Sequence, residues 1–423
     1  MSKFLIEGGT PLNGTVHIKS AKNACLPIIA AVILTRGQTI LRNVPRISDV
    51  ENLLTMLSSL GVSVAWQDGD LYLDTTNIQD NEINKCAAQR IRGSIFVLGS
   101  LIGRFRNAKL PKPGGCSIGR RPIDLHLYGL KEIGVKVSES PSLIECTLKR
   151  GRNAEVYLDF PSVGATENMM LASAIGRYTT KIVNAAKEPE VVDLANFLNR
   201  AGACINGAGT DTITITGVDT LRGIDYTPIP DRINTASFLL ATATIGGDVT
   251  LKNIRPDHNA NLIKRLRQSG ATVTLSPADN SMRIITNKRR RSYSAQTGPY
   301  PGFPTDIQSQ YATYSCLTSG TTYIVENMFE DRFKYVKELV KLGARICTKG
   351  KTATIRPIKK FRSGTQDQPT VLTAEELRGG FSLTISALAA LGHSIIENAS
   401  VIDRGYERLE LDLQKLGAKI IRI

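Results

Sequence analysis

One cysteine, Cys116, follows a Gly-Gly pair in the stretch LPKPGGCSIGRRPIDLH, residues 110–126, with Arg120 and Arg121 within five residues of it. Cationic neighbours and free backbone N–H groups lower a thiol pKa from about 8.5, and the glycines leave the loop open. Such a thiol serves as a nucleophile or as an acid–base group. Cys25, Cys204 and Cys316 instead lie in apolar patterns that suit inert, buried thiols. The cations around Cys116 point to an anionic partner.

Three further polar islands carry chemistry. In HIKSAKNACLP, Lys22 and Asn23 precede an apolar helix. A lysine there opposes the helix dipole unless an anion is bound beside it, where the free N–H groups of the helix also contribute. The plainer alternative is an exposed lysine ahead of a core helix. In YPGFPTDIQSQ, residues 300–310, rigid Pro-Gly turns surround a single acid, Asp306. It is either a general base or the N-cap of the helix that follows. Late loops carry Arg332 in ENMFEDRFKYV, Arg378 in AEELRGGFS and Arg404 in VIDRGYERLE. The planar guanidinium fork binds carboxylate and phosphate in two-point geometry, and Arg378 stands directly before a Gly-Gly helix start, a second anion site.

A six-fold internal repeat must position these groups. Six segments read as amphipathic helix, glycine and short strand, with Gly61, Gly134, Gly202, Gly270, Gly343 and Gly417 separated by 73, 68, 68, 73 and 74 residues. Each glycine falls where a helix requires a left-handed C′ residue, and a β-branched alternation follows. A second element, an apolar helix rich in Ala, Ser and Gly that runs into a strand, repeats out of phase; such helices belong in a close-packed interior. A period near 70 is too long for a solenoid. It suits an α/β (α+β) fold of six βαβαββ units, three in each of two similar globular lobes, with a cleft between the lobes.

Composition narrows the function. Hydrophobic residues at 42% and charged residues at 22% describe a packed globular chain. No apolar run reaches the roughly 18 residues of a membrane span, and the start MSKFLIEGG lacks a signal region, which implies a cytoplasmic protein. Seven scattered cysteines without a C-x-x-C pair and four isolated histidines exclude a disulfide framework and give no metal site. The Walker pattern is absent. The net charge of +15 is dispersed apart from NKRRR, residues 287–291, which has no interleaved aromatics and reads as a solvated turn. A cleft for anionic substrates fits that balance at least as well as nucleic acid.

Ten ordered motifs, GGTPLNG, SAKNACLP, PGGCSIGRRPIDLH, PSVGATEN, AKEPEVVDLANFL, PDRINTASFL, YPGFPTDIQSQ, FEDRF, LRGG and IDRGYERLE, resemble those of the enolpyruvyl transferases from end to end. The resemblance implies an inverse α/β barrel-like pair of lobes. Residues 21–229 would form the first, carrying the cysteine loop, and residues 1–20 plus 230–423 the second. It implies transfer of the enolpyruvyl group of phosphoenolpyruvate to the 3′-hydroxyl of UDP-N-acetylglucosamine, a cytoplasmic step of peptidoglycan synthesis, with no metal, no organic cofactor, no nucleic acid and no membrane. By the same resemblance Cys116 is the acid and Asp306 the base. Lys22, Arg92, Arg121, Arg332, Arg378 and Arg404 would hold the phosphate and carboxylate. Asn23, Pro122, Ile123, Asp124, Leu125, Ser162, Val163, Gly164 and Met328 would contact the substrates.

The chain departs from the family pattern at Phe160, where a lysine is usual before S-V-G, and at Asn234, where an acid is usual. Glu376 replaces an aspartate, and Met328 a smaller residue. These changes fall mostly on the acceptor side. They leave open a different acceptor such as a nucleotide. The shikimate-pathway sister enzyme lacks the cysteine loop. A non-catalytic RNA-binding or regulatory paralogue would have no use for Lys22, Cys116, Asp306 and Arg404 together.

Overall fold

The computed structural model describes residues 2–423 apart from 80–82, 115–117, 120, 287–289 and 292. Contacts divide the chain into two units. Residues 20–116 and 122–229 make the first, and residues 1–19, 117–121 and 230–423 the second. Each has its own apolar core.

All six helix–glycine–strand segments form. The helices are Ser48–Ser59, Asp124–Glu132 and Pro189–Ala201 in the first unit, and Ala260–Gln268, Val336–Lys341 and Leu409–Lys415 in the second. Their glycines, Gly61, Gly134, Gly202, Gly270, Gly343 and Gly417, have φ between +86° and +114°. A Cβ there would strain the backbone, so the helix stops and the strand begins on the far side of the glycine.

Six more helices are buried along nearly their whole length: Lys22–Ala31, Ile95–Phe105 and Val163–Ser173, then Arg232–Ile245, Gln308–Ser315 and Leu377–Ala389. In each unit the three pack on one another. Small residues make this possible. A Cβ on Gly99 would lie 2.3 Å from Asn168 Oδ1, and one on Gly103 would lie 2.8 Å from the Leu171 carbonyl oxygen. The helix Gln308–Ser315 is not apolar as its neighbours are. Some of its polar groups bond to the neighbouring helix: Ser382 Oγ lies 2.7 Å from Thr313 Oγ1 and donates to the Ser309 carbonyl at 3.0 Å.

Each buried helix leads into a strand of a small sheet: Gln38–Leu41, Asn107–Pro111 and Thr179–Val183, then Gly247–Lys252, Thr322–Val325 and Gly392–Glu397; all are interior strands except Asn107–Pro111, which lies at the edge of its sheet. An antiparallel neighbour separates that strand from the one that follows the glycine. The N-terminal strands complete two sheets of the second unit. Phe4–Gly8 lies antiparallel between Gly392–Glu397 and Lys419–Arg422, and Leu12–His17 runs parallel to Gly247–Lys252. Among the described residues no helix is long and apolar enough to cross a membrane.

Two details correct the sequence reading. Cys25 and Cys316 are buried, but Cys204 is exposed, because it begins an edge strand whose inward residue is Ile205. Residues 287–289 of NKRRR lie outside the described residues. Of the described pair, Arg291 is exposed as a solvated turn requires, whereas Arg290 is half-buried and burial lowers its pKa.

Candidate active site

In the first unit, Lys22 opens the helix Lys22–Ala31, preceded by Ala21, which offers no capping side chain. The anion expected beside it is there, but it is the protein's own: Lys22 Nζ lies 2.6 Å from Asp49 Oδ2, and Asp49 is buried in the helix Ser48–Ser59. Asn23 follows, half-buried. Arg92 reaches across to donate from Nη2 to the Pro122 carbonyl at 3.1 Å. It thereby ties its turn to the segment Pro122–Leu125, in which Pro122 and Asp124 are exposed. Ser162 caps the helix Val163–Ser173, its Oγ accepting from Ala165 N at 3.3 Å.

These pieces share a buried support. Asn168 Oδ1 accepts from Gly99 N at 2.8 Å, and its Nδ2 lies 3.2 Å from His126 Nδ1. A Cβ on Gly164 would meet the His126 ring at 3.0 Å. The helix starts at Asp124 and Val163 are thus locked together. Sequence reasoning passed over Asn168 although it lies inside PSVGATEN. It also gave no role to Glu167, Glu188 and Glu190, all of which are buried. Burial first, then Glu190 and Glu188, raise the Glu167 pKa well above the carboxylate range.

In the second unit, the turn Thr305–Ile307 presents Asp306 between two arginines. Arg332 Nη2 donates to Oδ1 at 2.6 Å, and Arg378 Nη2 donates to Oδ2 at 3.4 Å. Both guanidinium groups are almost fully buried, whereas the Asp306 side chain keeps 28% of its surface. Asp306 does not cap the following helix. It is the solvent-facing end of a buried ionic network. Arg332 also lies 3.5 Å from Glu376 Oε2.

The first backbone N–H groups of the helix at Arg378 are already taken by an acid of the chain. Glu376 caps that helix, accepting from Arg378 N at 2.8 Å and from Gly379 N. Burial disfavours the charged form of Arg378, but Tyr406, Asp306 and Asp231 outweigh it and its pKa is raised. Its guanidinium lies 5.4 Å from the Tyr406 ring centroid, and that ring stacks on Phe381. Arg404 ends the turn Ala399–Arg404 two residues earlier, half-buried. Next to it, the Gly405 carbonyl accepts from Asn234 Nδ2 at 3.4 Å.

Cys116 and Arg120 lie outside the described residues. The described part of their loop docks within the second unit. The Ile118 carbonyl accepts from Asp331 N at 3.1 Å, and Arg121 lies 5.4 Å from the Phe329 ring centroid. Arg121 holds a left-handed φ of +46°. Met328, half-buried, donates its N–H to Glu326 Oε1 at 2.8 Å. The structure therefore gathers Asp306, Arg332, Arg378 and Glu376 in one cluster. Chemically, the cluster offers a directed carboxylate against buried positive charge, which suits proton abstraction from a hydroxyl next to an anion.

The chain belongs to the EPSP synthase (3-phosphoshikimate 1-carboxyvinyltransferase) family, whose model matches residues 6–413. The fold agrees with solved members. The enolpyruvyl transferase NikO from Streptomyces tendae superposes with a TM-score of 0.89 at 24% identity, covering 100% of this chain and 99% of that one. EPSP synthase from Acinetobacter baumannii gives 0.74 at 15%, with both chains fully covered. Two curated relatives are more specific. UDP-N-acetylglucosamine 1-carboxyvinyltransferase 2 of Caldanaerobacter subterraneus subsp. tengcongensis is 44% identical, and that of Carboxydothermus hydrogenoformans 42%, each over 100% of both chains.

Proposed function

We propose that this chain transfers the enolpyruvyl group of phosphoenolpyruvate to the 3′-hydroxyl of UDP-N-acetylglucosamine, releasing phosphate, in the cytoplasmic phase of peptidoglycan synthesis. The observation that carries this reading is end-to-end identity of 44% and 42% with relatives so named. The Asp306–Arg332–Arg378 cluster supports it with suitable chemistry.

In this reading Cys116 gives a proton to C3 of phosphoenolpyruvate, and C2 becomes the electrophile. Asp306 takes the proton of the sugar hydroxyl as its oxygen bonds to C2. The tetrahedral adduct then breaks its C2–O bond to phosphate and loses a C3 proton, leaving the enol ether. Lys22, Arg92, Arg121, Arg332, Arg378 and Arg404 offset the charge of the phosphate and carboxylate. In a water-poor site such offsetting is the largest catalytic contribution. Asn23, the segment 122–125, the helix start at 162–164 and Met328 contact the acceptor. No cofactor takes part.

Phosphate should be released only when both substrates are present. A second reading, the same chemistry on another acceptor such as a nucleotide, is favoured by one observation. Phe160, 42% exposed, stands where a diphosphate-binding lysine is usual. A turnover panel of UDP-sugars and nucleotides decides between them, and turnover confined to a nucleotide other than UDP-N-acetylglucosamine overturns the first.

A further inference from the structure

We infer that Glu326 is a positioning residue that ties the turn bearing Asp306 to the loop bearing Met328 and Arg332, so that base and cationic pocket are set as one piece. The inference rests on the roles proposed above for Asp306 and Arg332.

Glu326 directly follows the strand Thr322–Val325 and is buried, with 2% of its surface exposed. Its carboxylate bonds to hydroxyl and backbone donors. Oε1 accepts from Thr297 Oγ1 at 2.9 Å, Met328 N at 2.8 Å and Phe329 N at 3.3 Å. Oε2 accepts from Thr305 Oγ1 at 2.9 Å. One carboxylate thus joins three separate stretches of chain. Thr297 belongs to the same tie, because its Oγ1 accepts from Asn327 N at 2.8 Å while its carbonyl accepts from Asn327 Nδ2 at 3.0 Å.

What lies at the ends of these bonds gives the tie its meaning. Thr305 directly precedes Asp306, and the Thr305 carbonyl itself accepts from Arg332 at 3.3 Å. Phe329 lies beneath both Arg121 and Arg332, at 5.4 and 5.7 Å from their guanidinium carbons. Asp331, two residues on, holds the Ile118 carbonyl at 3.1 Å. A rotation of the Glu326 carboxylate therefore moves the Asp306 turn and the aromatic support of two arginines together. Hydrogen bonds in a buried, low-dielectric place are strengthened, and a network whose members are all bonded is rigid. Catalysis is sensitive to such placement: a shift of about 1 Å can cost roughly a hundredfold.

The test is a double-mutant cycle with a conservative rescue. Thr305→Val removes one hydroxyl and keeps the shape; Thr305→Ser restores the hydroxyl. In phosphate-release assays Thr305→Val should lower kcat roughly tenfold with both KM values within about twofold, and Thr305→Ser should recover it. In the Glu326→Gln background, Thr305→Val should cost less than about twofold more, because the tie is already altered. A kcat for Thr305→Val equal to that of the wild type, or an equal loss in both backgrounds, overturns the inference. Amide exchange at Phe329 reads the tie without turnover and should quicken in both single variants. If the wild-type protein releases no phosphate, the functional reading falls, and unchanged Phe329 exchange alone would then sink the tie.

Discussion

The two units solve the same packing problem with opposite electrostatics. In the second, the buried helices Arg232–Ile245 and Leu377–Ala389 each start beneath a carboxylate of their own, Asp231 and Glu376. In the first, the corresponding helices Lys22–Ala31 and Val163–Ser173 start beneath Ala21 and the hydroxyl of Ser162. A carboxylate at a helix start neutralises the partial positive charge that the unpaired N–H groups carry there, whereas alanine or serine leaves it in place. Two helix starts of the second unit are therefore capped by acids of the chain, and the unit presents a further acid, Asp306, against arginines. The first leaves these two helix starts without an acidic cap, and the acid that meets Lys22 at one of them, Asp49, comes from another helix.

The largest effect expected of this contrast is at Asp306. Asp306→Asn removes the proposed base and should lower kcat for phosphate release by about 10²–10⁴-fold, with smaller changes in KM. A loss below tenfold would leave the second unit's network structural only. Grafting the second unit's device onto the first comes next. Ser162→Asp places a carboxylate at the start of Val163–Ser173 and should raise KM for the nucleotide-sugar about tenfold while kcat changes little, at unchanged or higher thermal stability. An unchanged KM would mean that the difference in helix starts has no bearing on binding.

The smallest effect concerns the first unit's unsatisfied acid. Neither Glu167 oxygen has a hydrogen-bond partner among the described residues, and burial raises its pKa above 4.5 in the folded chain. The unfolded chain ionises near that ordinary value. Stability from this group is thus complete at lower pH and declines as pH rises above about 4.5 toward the folded pKa. Glu167→Gln should raise the melting temperature by about 2 °C near pH 8 and by almost nothing near pH 4.5. The opposite trend would show that the carboxylate is stabilised by groups the first unit was thought to lack.

Much of the architecture was legible because it is written in short-range periods. A helical stripe, a glycine and a β-branched alternation fit within some fifteen residues, and all six glycines adopt the expected backbone. The site residues were legible as polar interruptions of that pattern. What was not legible depends on partners distant in sequence. Nothing near Lys22 announces Asp49, and nothing near Asp306 announces that Arg332 and Arg378 would close on it from two other loops. The Glu376 cap was nearer to hand, since an acid just ahead of a Gly-Gly helix start is a local signal. Cys204 misled because an apolar neighbourhood does not reveal which way an edge strand faces.

The strand Phe4–Gly8 has its two neighbours at the other end of the chain, with Lys3 and Glu397 paired 394 positions apart. At about 5–20 residues per second, a ribosome needs roughly 20–80 s to bring those neighbours into existence. Residues 20–229 can collapse during that wait, but Phe4 and Ile6, both fully covered in the finished protein, cannot yet be sheltered. This strand is made well before the partners it needs and is among the last to find its place, so a nascent chain must carry it apolar and unpaired while nearly 400 further residues are added.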